Sequence, residues 1–184
     1  MFRKIRKKKN EISVEEAKKL LHKCRRGVLS MNGEDGYPYA IPINYFYDEK
    51  KEKIYFHGAK AGYKVDCLKK CDKICFTIYG DEEVKDLDWA PYLKSVVIFG
   101  RCHIVEDQEQ LFRSLKVFAL KYYPDEKMVD EEIELAKTAV SMFEIEIEHI
   151  SGKQIQEKIS VYRYGMRVCC SRNGHRSAKH GDDV

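Results

Sequence analysis

Three strand-like runs follow one another between residues 27 and 58 with only short turns between them, and this limits the fold more than any other feature. The run GVLSM (27–31) is closed by the turn-forming NGEDG. The next, YPYAIPINYFYD (37–48), places Tyr39, Ile41, Ile43, Tyr45 and Tyr47 on one face, and DEKKEK returns the chain into KIYFHG. Parallel neighbours need crossovers of a dozen or more residues, usually helical, so a doubly wound parallel sheet does not fit. Further strands are expected at ICFTIYG and at KSVVIFGRCHIV, which is apolar on both faces and in which Gly100 marks a bend or bulge. MFEIEIEH alternates strictly and reads as a last strand with one wet face.

Helices are expected over about 14–24, 61–71, 107–123 and 130–141. Ser13 and Glu16 form a capping box for the first, Val65 and Leu68 point inward in the second, and Leu111, Leu115, Phe118 and Leu120 supply the third with its stripe. Six strands, the early ones joined by turns and the later ones separated by helices, specify a mainly β chain: a small antiparallel barrel with peripheral helices. At 184 residues one domain is expected, over 1–155. The stretch 156–184, rich in Gly, Ser, Lys and Asp toward its end, reads as a flexible extension.

Pro42 lacks an N–H for a ladder bond, so its strand is not a normally paired central one, and backbone groups around 41–44 are available to a ligand. No apolar run reaches the roughly 18 residues of a membrane helix, and the basic start MFRKIRKKKNE lacks the apolar core of a signal peptide. The expected location is the cytoplasm, with no membrane and no nucleic acid as partner. The net charge of +4 sits mostly at the two ends. The basic arm can attract phosphates, but no finger or RNP-type strand accompanies it, and the reading taken is a solvated or partner-docking arm. The seven cysteines are an odd set read as reduced thiols. Cys67, Cys71 and Cys75 do not share a helical register, because Cys75 falls in a strand, so no metal site is expected.

The join KIYFHGAKAGYKVD carries the chemistry. A helix start leaves N–H groups unpaired and bears partial positive charge. Gly58 and Gly62 permit close backbone approach, Lys60 and Lys64 lie four apart, and His57 sits at the strand end as a donor or a charge near neutral pH. These residues point to phosphate recognition. Neither G-x-x-x-x-G-K-[ST] nor G-x-G-x-x-G is present, which disfavours nucleotide binding by those devices.

In order and spacing, MFRKIRKKKNEIS, GYPYAIPINYFYD, KIYFHGAKAGYKVD and YLKSVVIFGRCHIVED resemble the FMN-binding split-barrel proteins of the pyridoxamine 5'-phosphate oxidase-like superfamily, and within it the nitroimidazole-resistance (Nim-type) flavoproteins. The resemblance spans about residues 1–155. It implies a homodimer of six-stranded antiparallel split β-barrels with one FMN in each of two clefts between subunits. His57, Gly58, Ala59, Lys60 and Lys64 would then hold the FMN phosphate. Pro42, Ile43 and Asn44 would line the isoalloxazine ring, and Tyr92, Ser95 and Val96 would complete both sets of contacts. Tyr63 stands where relatives often carry Arg or His.

The function implied is an FMN-dependent oxidoreductase reducing a small electrophile such as a nitroimidazole or another nitro-aromatic. The flavin would carry the chemistry, and His57 is the one plausible proton donor. Two alternatives stay open: a pyridoxamine or pyridoxine phosphate oxidase, which needs a second phosphate site, and a non-catalytic flavin or haem binder, with His22, His103 and His149 as conceivable haem ligands.

Overall fold

The computed structural model describes residues 2–83, 92–123, 125–136 and 138–155. Eight strands form one antiparallel sheet: β1 (Glu11–Ile12), β2 (Arg26–Asn32), β3 (Pro38–Asn44), β4 (Phe46–Asp48), β5 (Lys53–Ala59), β6 (Lys73–Glu83), β7 (Tyr92–Ile104) and β8 (Val140–Ile155). The order is β3-β2-β6-β7-β8-β5-β4, with β1 paired to β8. Four helices accompany them: α1 (Val14–Lys23), α2 (Tyr63–Lys70), α3 (Gln108–Tyr122) and α4 (Glu126–Ala136). The expected count of six strands is therefore corrected to eight among the described residues. Residues 11–12 add a two-residue strand, and the run 37–48 is two strands rather than one.

That second correction creates the architecture. β3 and β4 are consecutive in the chain yet lie at opposite ends of the sheet path, so the chain links the two edges and curls the sheet into a barrel. The break falls at Tyr45, which is fully buried. Its backbone leaves both ladders, and buried backbone groups need partners. The end of α3 supplies them. The Tyr122 hydroxyl accepts from the Tyr45 N–H at 2.9 Å and shares its own proton between the carbonyls of Tyr45 (2.8 Å) and Arg25 (2.5 Å). Lys121 Nζ donates to the carbonyls of Cys24 (2.8 Å) and Tyr45 (3.1 Å) and lies 4.4 Å from the centre of the Tyr45 ring. Burial pushes the Lys121 ammonium down to about 8.

The barrel interior holds Leu29, Tyr45, Ile54, Phe56, Phe76, Ile98 and Phe143, closed by Ala17, Leu20 and Leu21 of α1. Ser13 caps α1 by accepting from the Glu16 N–H at 3.1 Å. The Glu16 carboxylate does not complete the capping box and instead pairs with Lys94 at 2.8 Å. A second core lies outside the barrel, where Leu111, Leu115 and Phe118 of α3 cover Tyr55 and Met142. This explains why β5 and β8 are buried at consecutive residues: one face meets the barrel and the other meets α3. Leu120, expected in the α3 stripe, is partly exposed. The fourth helix ends at Ala136, and Val140 and Ser141 belong to β8 because they pair with Ala59 and Gly58. Gly100 sits at a register shift between β7 and β8, as a bulge requires. The extension 156–184 lies outside the described residues.

Candidate functional site

The site begins where β4 stops covering β5. β4 pairs only with Lys53, Ile54 and Tyr55. Continued in register, Asn44 would stand opposite His57, Ile43 opposite Gly58 and Pro42 opposite Ala59. The residues before Tyr45 instead pair with β2, where Pro42 faces Val28 and Asn44 faces Arg26. Two strand edges thus face each other across a split, and neither has a further strand partner among the described residues. β3 is an edge strand, a setting in which a proline inside a sheet is tolerated. The 42–44 segment lies on one of these edges and the 57–59 segment on the other. Asn44 is oriented by accepting from Arg26 Nε at 3.2 Å.

At the far end of β5 the chain turns through Lys60 and Ala61 into α2. Gly62 occupies the position before the helix with φ +124°, a conformation that disfavours any other residue. No side chain caps this end, whereas Ser13 caps α1 and Asp107 caps α3. The Val65 and Asp66 N–H groups donate to the Gly62 carbonyl at 2.8 and 3.1 Å, which leaves those of Tyr63 and Lys64 at the helix start to face an anion.

Lys64 reaches back over this opening. Its ammonium lies 5.2 Å from the centre of the Phe56 ring and 4.7 Å from that of Phe143, and the two rings stack 4.9 Å apart. It crosses Gly58 so closely that a Cβ there would collide with Nζ. Burial lowers the Lys64 pKa, and no described carboxylate lies within ion-pair distance. By contrast Lys53, Lys70, Lys94 and Lys116 each hold an Asp or Glu. Lys64 is a half-buried cation without a counter-ion, beside an uncapped helix start. Lys60 is exposed at the turn.

His57 is separated from this cradle. Adjacent residues of a strand point to opposite faces, so with Lys64 over Gly58 the imidazole turns to the other side, where it meets Phe118 edge-on at 4.9 Å. Burial, and secondarily the Lys64 charge, lowers its pKa. At neutral pH it is a neutral ring with one donor and one acceptor nitrogen.

Tyr92, Ser95 and Val96 lie elsewhere in this chain. Ser95 stands opposite Lys153 near the end of β8, while Ala59 stands opposite Val140 at its start. At roughly 3.3 Å per residue the two positions are on the order of 40 Å apart along the strand. Val96 is fully buried in the barrel, so only its backbone is presentable. Tyr63 does not face the cradle either. Its hydroxyl accepts from the Glu34 N–H at 2.7 Å and its ring meets Tyr39 edge-on, fastening α2 to the β2–β3 turn. Reading sequence alone missed the aromatic floor under Lys64, since Phe143 is 79 residues away and betrayed only by its place in an alternating strand.

Of the conceivable haem ligands, His22 pairs with Glu49 at 3.1 Å and His149 stacks under Phe2. Among the described residues no group of three or more His, Cys, Asp or Glu is placed to hold a metal ion. No described helix is long and apolar enough to cross a membrane.

A curled antiparallel sheet with an open seam and a cationic, backbone-lined cradle defines the split-barrel class. The comparisons agree with this geometry. The pyridoxamine 5'-phosphate oxidase family model matches residues 13–154, and the chain belongs to that family. No functionally curated protein matches the sequence. A candidate 5-nitroimidazole antibiotic resistance protein of Bacteroides thetaiotaomicron superposes with a TM-score of 0.65 at 17% identity, covering 78% of this chain and 86% of the other. A flavocytochrome of Azotobacter vinelandii gives 0.70 at 17% identity, with 98% and 86% covered. An FAD-binding protein of Mesorhizobium loti gives 0.55 at 21% identity, with 79% and 97% covered. At these identities the likeness establishes the fold.

Proposed function

We propose that the chain is an FMN-dependent oxidoreductase acting in the cytoplasm on a small electrophile such as a nitro-aromatic compound. One observation carries the flavin reading: Lys64, half-buried and without a carboxylate, lies over Gly58 beside the uncapped start of α2 and next to two unpaired strand edges. That combination fits a phosphorylated ligand whose flat, hydrogen-bonding remainder runs along the split. Family membership and flavin-binding structural neighbours support the same reading.

In this reading Lys64 and the N–H groups of α2 hold the phosphate, with Lys60 adding long-range attraction. Gly58 keeps the backbone low enough for Lys64 to cross. The free edge at Pro42, Ile43 and Asn44 offers backbone groups to the ring. When bound, the flavin supplies the electron transfer, and the protein contributes position, exclusion of water and hydrogen bonds. His57, neutral at working pH, contributes its backbone to the split and a ring N–H to its other face.

The distances also support a homodimer. Ser95 and the cradle of one chain lie on the order of 40 Å apart along β8, so in this reading the Tyr92, Ser95 and Val96 segment serves the cradle of a second copy. The test is the visible spectrum of the purified full chain, with the released cofactor identified by mass. A flavin spectrum that NAD(P)H bleaches anaerobically and a nitroimidazole restores supports the proposal. A colourless chain that takes up no added FMN refutes it, and a Soret band would assign haem instead.

A further inference from the structure

We propose that the basic arm ahead of β1 binds a diphosphate group, the bridge of a dinucleotide seated at the cradle of a second copy of the chain. Residues 2–12, FRKIRKKKNEI, carry six cations, Arg3, Lys4, Arg6, Lys7, Lys8 and Lys9, against one acid, Glu11. All six are exposed, and none forms an ion pair with another described residue. Like charges so close together repel, and a free tail would let them spread. This arm is instead pinned at both ends. The Phe2 ring stacks on His149 at 4.8 Å and on Phe99 at 5.4 Å. At the other end a 3-10 turn, Lys8–Asn10, leads into β1: Asn10 Nδ2 donates to the Gln154 carbonyl at 2.9 Å, and Glu11 and Ile12 pair with Lys153 and Gly152. From His149 to Gln154 a strand advances on the order of 17 Å, so the cations are held along that length without counter-ions. An anion carrying more than one negative charge complements such an array.

Position selects the anion. β8 has β7 on one side and β1 on the other, and Ser95, Lys153 and Glu11 stand opposite one another in register. Residues aligned in this way share one face of the sheet, and two strand spacings put Glu11 on the order of 10 Å from Ser95. Lys7, Lys8 and Lys9 directly before it, with the exposed Lys153 in the row itself, are within side-chain reach of a ligand that meets Ser95. In the homodimer reading above, on which this rests, that ligand is the flavin of the second copy. Lys64 and the start of α2 already hold the FMN phosphate there, so the arm offers its charge to a further phosphoryl group. Lysine ammonium groups suit a diphosphate because they act as mobile point charges and need no fixed fork geometry. Two compounds bring a diphosphate to a flavin site: FAD bound in place of FMN, and NADH or NADPH as the reductant.

The test uses the full chain freed of flavin, in wild type and in a triple variant carrying Lys7→Ala, Lys8→Ala and Lys9→Ala, all at exposed positions. Each is titrated with FMN and with FAD, and anaerobic reduction of the FMN-loaded chains by NADH and by NADPH is followed for its half-saturation concentration and limiting rate. The triple variant should keep its FMN affinity within about threefold, as exposed charges away from the ligand allow. It should lose at least about tenfold, the value of one charged hydrogen bond, in FAD affinity or in half-saturation by the reductant at an unchanged limiting rate. Loss for FAD assigns the diphosphate to the cofactor, and loss for the nicotinamide dinucleotide assigns it to the reductant. Arg3→Ala with Lys4→Ala removes charge from the Phe2 end instead and should leave every value within about threefold. No selective loss in the triple variant, an equal loss for FMN and FAD, or the same loss in the Arg3 and Lys4 variant would each overturn the proposal. A wild-type chain that takes up no flavin defeats the preceding reading and this one with it, whereas one that binds FMN while both variants behave like wild type defeats this one alone.

Discussion

Replacing Gly58 by Ala separates the role of Lys64 from the stability of the barrel. Gly58 is not among the residues with positive φ, so its backbone accepts Ala without strain. The new Cβ would collide with Lys64 Nζ and approach Phe143 Cε2 to 3.2 Å. A lysine tip swings away readily, while Phe143 has only to give by a few tenths of an ångström. Displacing the ammonium forfeits two cation–π contacts, about 0.5–1 kcal/mol each, partly offset by its return to water. The net loss of about 1 kcal/mol should lower Tm by about 2–4 °C for a chain of this size. The cost to FMN is larger, because a charged hydrogen bond is worth about 1.5–3 kcal/mol, or about 10- to 150-fold in Kd. Flavin fluorescence titration and thermal melts by circular dichroism read the two effects on one preparation. An unchanged FMN affinity would refute the placing of the phosphate at Lys64. A collapse of Tm would show instead that Lys64 cannot move and that Gly58 is structural.

Three further outcomes are expected. Tyr122→Phe removes the hydroxyl that serves the buried backbone of Tyr45 and should destabilise by about 1–3 kcal/mol in urea unfolding, the cost of an unpaired buried group. Tyr63→Phe should cost only about 0.5–1.5 kcal/mol and leave FMN affinity unchanged, since its hydroxyl bonds Glu34 and not the cradle. His57 is held below its ordinary 6.5 by burial and then by Lys64. The unfolded chain therefore takes up that proton first, so the stability His57 contributes is complete above pH 6.5 and is lost as pH falls through the lower folded value. Urea midpoints should drop between about pH 7.5 and about pH 5, and His57→Gln should flatten part of that drop.

Local signals made much of this fold readable. The turn sequences located the early antiparallel strands, Ser13 marked the start of α1, Gly100 announced the bulge, and Pro42 placed its strand at an edge. What escaped was set by partners far along the chain. The alternation through 37–48 is continuous, and nothing in it marks Tyr45 as the point where one strand becomes two. The break is stable because Lys121 and Tyr122, 76 and 77 residues later, supply the missing hydrogen bonds. In sequence they are only the end of a helix before a proline. The candidate site was half legible for a similar reason. Strand periodicity indicates that His57 and Gly58 face opposite ways, but only the positions of Lys64 and Phe118 tell which face is the cradle and which meets α3.

The central claim is that the split holds a flavin by its phosphate. It is tested most directly by titrating the flavin-free full chain with FMN and with riboflavin, which has the same ring system and no phosphate, in wild type and in Lys64→Met. FMN should bind wild type at least about tenfold more tightly than riboflavin, in keeping with a charged hydrogen bond, and Lys64→Met should erase most of that difference. Equal affinities for the two flavins in wild type, or a preference for FMN that survives Lys64→Met, would contradict it.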